Sequence, residues 1–463
     1  AASELRRVPQ AAQLVKLLRR SGGKSVSTRL ISARATALLL APYSASSQFQ
    51  SLSWAREVVA TALRERPLKL GVVAVGLAED ARHAALTSLV AAAEAAAFEL
   101  PSFKSDRKRK RRLAHLTLFD CSSRLDLGML RAQALGNDIA RWFTALPPNA
   151  LTVSSYRAAV ETLAKQFGIS CRFLNETQLE KLGAGAFLAV SQGNKERDAG
   201  ILHLRYRPRR QKAPDVAFVG KGILFDTGGT NLKPFKSMLD MHTDMQGSAV
   251  ALGTLLAFAS VEAPFAADAW LAVTPNRISA QSYTSQDIVT AANGTTIQVV
   301  HTDAEGRMVL ADTLALASRE EPALIIDYAT LTGTCVMALT DRYSGTFSNR
   351  AAANALMRRA GAASGERVWP FPMDEDLEEP LKSEVADVKQ CAIDGSGDHI
   401  LAARFLSRFV PNRIPWVHID LSSGQHKGGL AHVPSEITGF GVKLTLELLL
   451  ANDPRALAAE LGN

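Results

Sequence analysis

Apolar runs and Ala-rich stretches alternate along the first third of the chain. Ala35–Ala41, Leu70–Gly76 and Leu113–Phe119 read as strands, and Ala55–Arg64 and Ala81–Phe98 as helices, which predicts a small α/β domain over residues 1–126. Leu127–Leu146 carries apolar positions at helical spacing up to Pro147-Pro148-Asn149, so residues 127–146 read as one amphipathic helix connecting two domains. Strand-like and helix-like segments keep alternating over residues 147–463, beginning with a helix that Ser154 and Ser155 cap and Gly168 ends. That pattern predicts a larger α/β domain built on a mixed central sheet flanked by helices.

Three of the predicted strands share a feature. Asp215–Val219 runs into Lys221, Thr295–Val300 into Asp303, and Ala323–Asp327 into Ala329-Thr330-Leu331-Thr332-Gly333. Each passes from apolar residues to polar or Gly-rich ones and then to a helix. Their carboxyl ends are therefore expected side by side, forming the crevice where such sheets bind ligands.

With 463 residues, 47% of them apolar and 21% charged, the chain can bury a large core. A net charge of +8 would suit an acidic partner, but the excess is local. Glu4 is the only acid before Glu57, and the run Arg107–Arg112 precedes a strand-like segment, so it reads as a solvated loop rather than a nucleic-acid patch. Arg6-Arg7 and Arg19-Arg20 among Ala, Leu and Ser have the composition of a transit peptide. A cytoplasmic home and a mitochondrial or other organelle matrix both fit. Cys121, Cys171, Cys335 and Cys391 form no CxxC spacing, which argues against a disulfide framework or a thiolate metal site and fits a reducing compartment. No apolar run reaches the length of a membrane span.

The candidate chemistry lies in two short stretches. Lys221, Asp226 and Asp244 in one, and Asp303 and Glu305 in the other, are too many charged groups to sit among apolar strands and Gly turns unless something neutralises them. A pair of divalent cations does so. Asp303 and Glu305 stand two apart in a segment expected to be extended, which would turn both the same way, ahead of a helix starting near Met308. Lys221 reads either as a charged salt-bridge partner or, beside a cation, as a neutral amine ligand. Oxygen ligands with one nitrogen suit Zn, Mn, Mg or Co. Lys233, past the glycine turn, suits stabilisation of an oxyanion.

These residues are similar to the signatures of the leucyl aminopeptidase family, the M17 cytosol aminopeptidases. The family's VGKG, FDSGG, NLK, MxxD and NTDAEGR segments appear as Val219–Gly222, Phe225–Gly229 with Thr227 for Ser, Asn231–Lys233, Met241–Asp244 and His301–Arg307. The resemblance implies that Lys221, Asp226, Asp244 and Glu305 bind a tight metal ion and that Asp226, Asp303 and Glu305 bind an exchangeable one. It further implies that Lys233 is catalytic, that Arg307 holds a bicarbonate general base, and that Met241, Thr330, Leu331 and Gly333 line the pocket for the substrate's first residue. His242, His301, Gln390 and Asp398-His399 depart from the family pattern, and His301 and His399 read as hydrogen-bonded structural histidines.

The expectation is thus a metal-dependent exopeptidase acting on short peptides with a free, apolar N-terminal residue. The resemblance implies a homohexamer whose sites face an inner cavity. A dipeptidase or amidase with the same metal chemistry is one alternative. A non-catalytic assembly or nucleic-acid-binding protein retaining the fold, motivated by Arg107–Arg112, is another.

Overall fold

The computed structural model describes residues 10–22, 24–30, 36–105, 113–119, 125–209 and 211–462. The basic run Arg107–Arg112, Arg6-Arg7, Ala35 and Cys121 lie outside the described residues. The chain forms two compact α/β units, residues 1–134 with 427–436, and residues 135–426 with 437–463. Among the described residues no helix is long and apolar enough to cross a membrane.

In the first unit, helices Gln48–Leu63 and Glu79–Ala97 pack through small and aliphatic residues, Ala55, Val59, Leu89, Ala92 and Ala93. Ser47 starts the first of them by accepting a hydrogen bond from the Gln50 amide. Strands Val26–Arg29 and Ala37–Leu40 pair antiparallel, and Lys69–Val73 and His115–Phe119 pair parallel. Ala431, from the returning segment, joins Leu52, Val90, Ala91 and Leu130 in a second cluster.

The second unit is built on an eight-stranded sheet. Its strands, numbered along the chain, are β1 (Ser170–Asn175), β2 (Gly200–Tyr206), β3 (Val216–Asp226), β4 (Ala267–Asn276), β5 (Leu324–Ala329), β6 (Ser344–Ser348), β7 (Val368–Pro370) and β8 (Trp416–Asp420). Their order is β7-β6-β8-β5-β3-β4-β2-β1. The central four, β8, β5, β3 and β4, run parallel, while β6 and β2 are antiparallel to their inner neighbours. The sheet is therefore mixed, with its parallel strands buried in the middle.

Strand β3 shows how the sheet carries the site. Successive residues of a strand point to opposite faces. Gly220 lies against helix α1 (Gln246–Ser260), where a Cβ would come 2.5 Å from the Ser248 Cα, and Phe218 stacks on Phe258 of the same helix. The intervening Val219, Lys221 and Ile223 face the other way. Val219 and Ile223 join the main apolar cluster with Met308, Val309 and Leu310 of helix α2 (Glu305–Ser318), and Lys221 reaches the start of that helix.

Several expectations need correction. Residues Thr296–Gln298 do form a strand, but it belongs to a separate three-stranded sheet with Ile288–Thr290 and Val388–Lys389. The polar segment after it therefore reaches the crevice from outside the main sheet. β3 continues seven residues beyond Val219, from Gly220 to Asp226, so Lys221 is a mid-strand residue and Asp226 the strand's end. The helix after the connector is capped by Thr152 rather than Ser154, with Ser155 completing a reciprocal capping box.

The close approach of α1 to the sheet generates a prediction. A Cβ on Gly247 would sit 2.1 Å from the Tyr328 carbonyl oxygen. Gly247→Ala is expected to destabilise the second unit by about 3 kcal/mol, read as a lowered urea midpoint with an unchanged slope.

Candidate metal centre

Lys221 projects from the middle of β3 into a space that Gly306 leaves open; a Cβ there would lie 2.5 Å from the lysine Cε. Its Nζ lies 2.8 Å from Asp244 Oδ1 and 3.2 Å from Glu305 Oε1, and donates to the Thr330 carbonyl at 2.9 Å. Asp226 closes β3, its Oδ1 accepting from the Gly228 amide and from Asn276 Nδ2, both at 2.8 Å. Asp244 follows a single 3-10 turn, Met241–Thr243, and accepts from Thr330 Oγ1 at 2.7 Å. Glu305 is the first residue of α2, where free amides and the positive end of the helix dipole favour an anion. The extended segment expected to carry Asp303 and Glu305 is instead a turn entering the helix, which begins three residues before Met308.

Lys233 lies on the other side of Asp226. Its Nζ is 2.8 Å from Asp226 Oδ2 and 2.6 Å from Asp303 Oδ1. Gly228, with φ 86°, turns the chain so that Lys233 returns to the crevice, and its amide nitrogen donates to the Thr227 carbonyl at 2.9 Å. Thr302 fastens the two stretches together, its Oγ1 donating to the Gly228 carbonyl at 2.6 Å and accepting from the Asn231 amide at 2.8 Å.

The charges do not balance. Four carboxylates, Asp226, Asp244, Asp303 and Glu305, against two ammonium groups, Lys221 and Lys233, leave two negative charges in excess. Burial and the neighbouring Asp226 raise the Glu305 carboxyl well above its ordinary value. Burial, only partly offset by Lys221, raises Asp244 to about 6, and burial with Asp226 raises Asp303 to about 6. Burial alone would pull both lysines down, but the surrounding acids outweigh it and hold both ammonium groups above the usual lysine range. Lys221 is therefore an ion-pair partner in the metal-free site; a neutral amine there requires a competing cation.

The donor set fits a divalent metal. Oxygen atoms of Asp226, Asp244 and Glu305 lie within 4.8 Å of one another, all three residues are buried, and Asp244 Oδ2 has no hydrogen-bond partner. A hard cation amid these oxygens would relieve the surplus charge that raises their pKa values.

Arg307, on the first turn of α2 and 2% exposed, pairs with a different carboxylate, Asp398. Its Nη2 donates to both carboxylate oxygens of Asp398, at 2.8 and 2.7 Å, and its Nη1 donates to the Gln390 carbonyl at 3.2 Å. Met241, Thr330 and Leu331 are half-buried and Gly333 exposed. Asp420 of β8 anchors the segment Thr330–Gly333, accepting from the Leu331 amide at 3.3 Å and from Thr332 Oγ1 at 2.7 Å. His301 Nδ1 accepts from the Asp303 amide at 3.3 Å, and the His399 ring packs edge-on against Phe371 at 4.5 Å. Burial lowers the pKa of both, and that of His242.

Two residues of the site were missed in the sequence. Asn276 ends β4 and donates to Asp226 at 2.8 Å and to the Thr302 carbonyl at 3.1 Å, tying the two acidic stretches together. A polar residue ending an apolar strand was the available signal. Gln390, noted only as a departure, accepts from the Val300 and His301 amides and donates to the Ala304 carbonyl, so it holds the turn that carries Asp303. Nothing local marks it for that task.

Residues 138–446 match the model of the cytosol aminopeptidase family, catalytic domain. The chain is 34% identical over 449 residues to a probable cytosol aminopeptidase of Synechococcus sp. (strain RCC307), covering 94% of this chain and 89% of that one. It is 40% identical over 322 residues to a probable cytosol aminopeptidase of Syntrophotalea carbinolica, a match spanning 69% of this chain and 64% of the relative. Among solved structures, a point mutant of tomato leucine aminopeptidase superposes with a TM-score of 0.83 at 29% identity, covering 95% of this chain and 88% of that one.

Two measurements probe this centre. Asp244 and Asp303 bind protons more readily folded, near pH 6, than in an unfolded chain near 3.8. The metal-stripped protein should therefore gain stability from these groups as pH falls from about 7 through 6 and lose it as pH rises. Urea unfolding after chelation should display that gain, and Asp244→Asn with Asp303→Asn should reduce it, leaving the part that Glu305 contributes. Separately, Asn276→Ala is expected to weaken divalent-cation binding about 10- to 100-fold by calorimetry.

Proposed function

The chain belongs to the cytosol aminopeptidase family of peptide hydrolases, and on that premise we propose that it is a metal-dependent aminopeptidase removing apolar, leucine-like first residues from short peptides. The observation that carries this reading is the convergence of Asp226, Asp244 and Glu305 on one another beside Lys221. Lys221, Asp226, Asp244 and Glu305 would hold one cation, and Asp226, Asp303 and Glu305 a second. When bound, divalent cations supply a Lewis acid for the scissile carbonyl and lower the pKa of water.

The protein's own groups supply the rest. Lys233, kept charged by Asp226 and Asp303, donates to the oxygen of the scissile carbonyl as negative charge develops there. Met241, Thr330, Leu331 and Gly333 receive the first side chain, with Asp420 holding the segment Thr330–Gly333 still. Arg307 holds the anionic base, a role that the resemblance gives to bicarbonate. The base takes a proton from water as the new C–O bond forms, and returns it to the departing amine as the C–N bond breaks. Assembly as a homohexamer and residence in the cytosol or an organelle matrix complete the proposal.

Hydrolysis of leucine p-nitroanilide with and without added Mn or Zn, alongside metal counting, tests it. Two metal ions per chain are expected. Glu305→Ala should abolish measurable turnover, and Lys233→Met should lower kcat about 10²- to 10³-fold while retaining metal. Equal turnover by Glu305→Ala and the parent would sink the mechanism. A panel of dipeptides, longer peptides and amino-acid amides separates an aminopeptidase from a dipeptidase or amidase.

A further inference from the structure

Arg307 already has an anion. Its guanidinium, 2% exposed, meets both oxygens of the Asp398 carboxylate at 2.8 and 2.7 Å, from a side chain 21% exposed. Both contacts come from Nη2, and at these lengths they make a charge-assisted pair, stronger than a hydrogen bond between neutral groups. Asp398 is delivered there by its backbone. It opens helix α3 (Asp398–Ser407) directly after Gly397, whose φ of 63° turns the chain into the helix, and the His399 amide is fixed by Thr334 Oγ1 at 3.0 Å.

The pairing limits what else can bind. With Asp398 in place the pair of buried arginine and half-buried carboxylate is neutral, so the arginine has no uncompensated charge with which to draw in a soluble anion. A second anion at Arg307 would have to displace Asp398 or lie against it, close to a cluster in which four carboxyl groups face two ammonium groups.

We propose that Asp398 is the resident anion on Arg307, a carboxylate of the chain itself standing where the peptidase reading places a soluble bicarbonate. The proposal rests on that reading for its functional meaning, and on the Arg307–Asp398 geometry for its substance. It makes Asp398 the carboxylate that exchanges the proton during hydrolysis, with Arg307 holding it in position. The activity is then independent of dissolved carbonate.

The test compares the metal-loaded parent, Asp398→Gly, Asp398→Ala and Asp398→Glu in carbonate-depleted buffer and with added bicarbonate, following kcat and KM on leucine p-nitroanilide. The parent should change less than about twofold. Asp398→Gly and Asp398→Ala should lose about 10²-fold in kcat when depleted and regain most of it, saturably, with bicarbonate. Asp398→Glu should stay insensitive to bicarbonate. Stimulation of the parent by bicarbonate overturns the proposal, and that measurement requires no variant to fold. So does full activity of Asp398→Gly in depleted buffer, or a loss in a folded, metal-replete variant that bicarbonate does not restore.

Binding of ¹³C-bicarbonate, followed by NMR line broadening, gives a readout that does not use turnover. The parent should show none that Arg307→Ala removes, whereas Asp398→Gly should bind. A parent that hydrolyses no peptide under any condition sinks the peptidase reading, and the binding experiment still decides the assignment of Asp398.

Discussion

Crowding of buried negative charge is the constraint on which the second unit depends. Asp226, Asp244 and Glu305 are each at most 5% exposed, and Asp303 stands beside them. Carboxylates left so close together in a medium of low polarity repel strongly and lose hydration. The fold answers with two ammonium groups, one on each side of Asp226, and with amide donors from Gly228 and Asn276. That response is incomplete, as the raised pKa values of Asp244, Asp303 and Glu305 record. A site left short of positive charge is poised to take up cations, and the same imbalance that strains the metal-free fold supplies affinity for metal.

The scaffold around the cluster is built to permit close approach. Lys221 can turn its long side chain toward Glu305 because Gly306 has none, and β3 can lie against α1 because Gly220 and Gly247 let backbone meet backbone. Alternation along β3 then separates the two faces, with glycines on the one that packs against α1 and the lysine on the one that meets the acids. Polar residues of neighbouring strands finish the arrangement. Asn276 at the end of β4 and Asp420 at the end of β8 pin the acidic turn and the segment Thr330–Gly333 respectively.

Much of this was legible beforehand, and for identifiable reasons. Long apolar strands with polar ends betray themselves by composition, so the start of Val216–Asp226 and most of Leu324–Ala329 were anticipated, while the Gly- and Lys-containing second half of the former read as loop. Thr296–Gln298 looked the same locally, yet it pairs elsewhere, because three residues of strand cannot signal which sheet they will join. Glu305 was expected in extended chain because a helix that opens on Glu-Gly has no apolar period until Met308. Asn276, Gln390 and Asp398 act through partners 26 to 91 positions away, a separation at which no spacing rule operates. The departures from the family pattern at residues 390 and 398 turn out to be structural contacts of the site, not decoration on its surface.

The returning segment 427–436 has a consequence for biogenesis. Ala431 sits in the same apolar cluster as Leu52, Val90, Ala91 and Leu130, although residues 135–426 separate it from them along the chain. On a ribosome, the cluster of Leu52, Val90, Ala91 and Leu130 therefore gains Ala431 only after residues 135–426 have been made. The first unit thus completes this cluster late in synthesis, against the usual amino-to-carboxyl order in which domains mature.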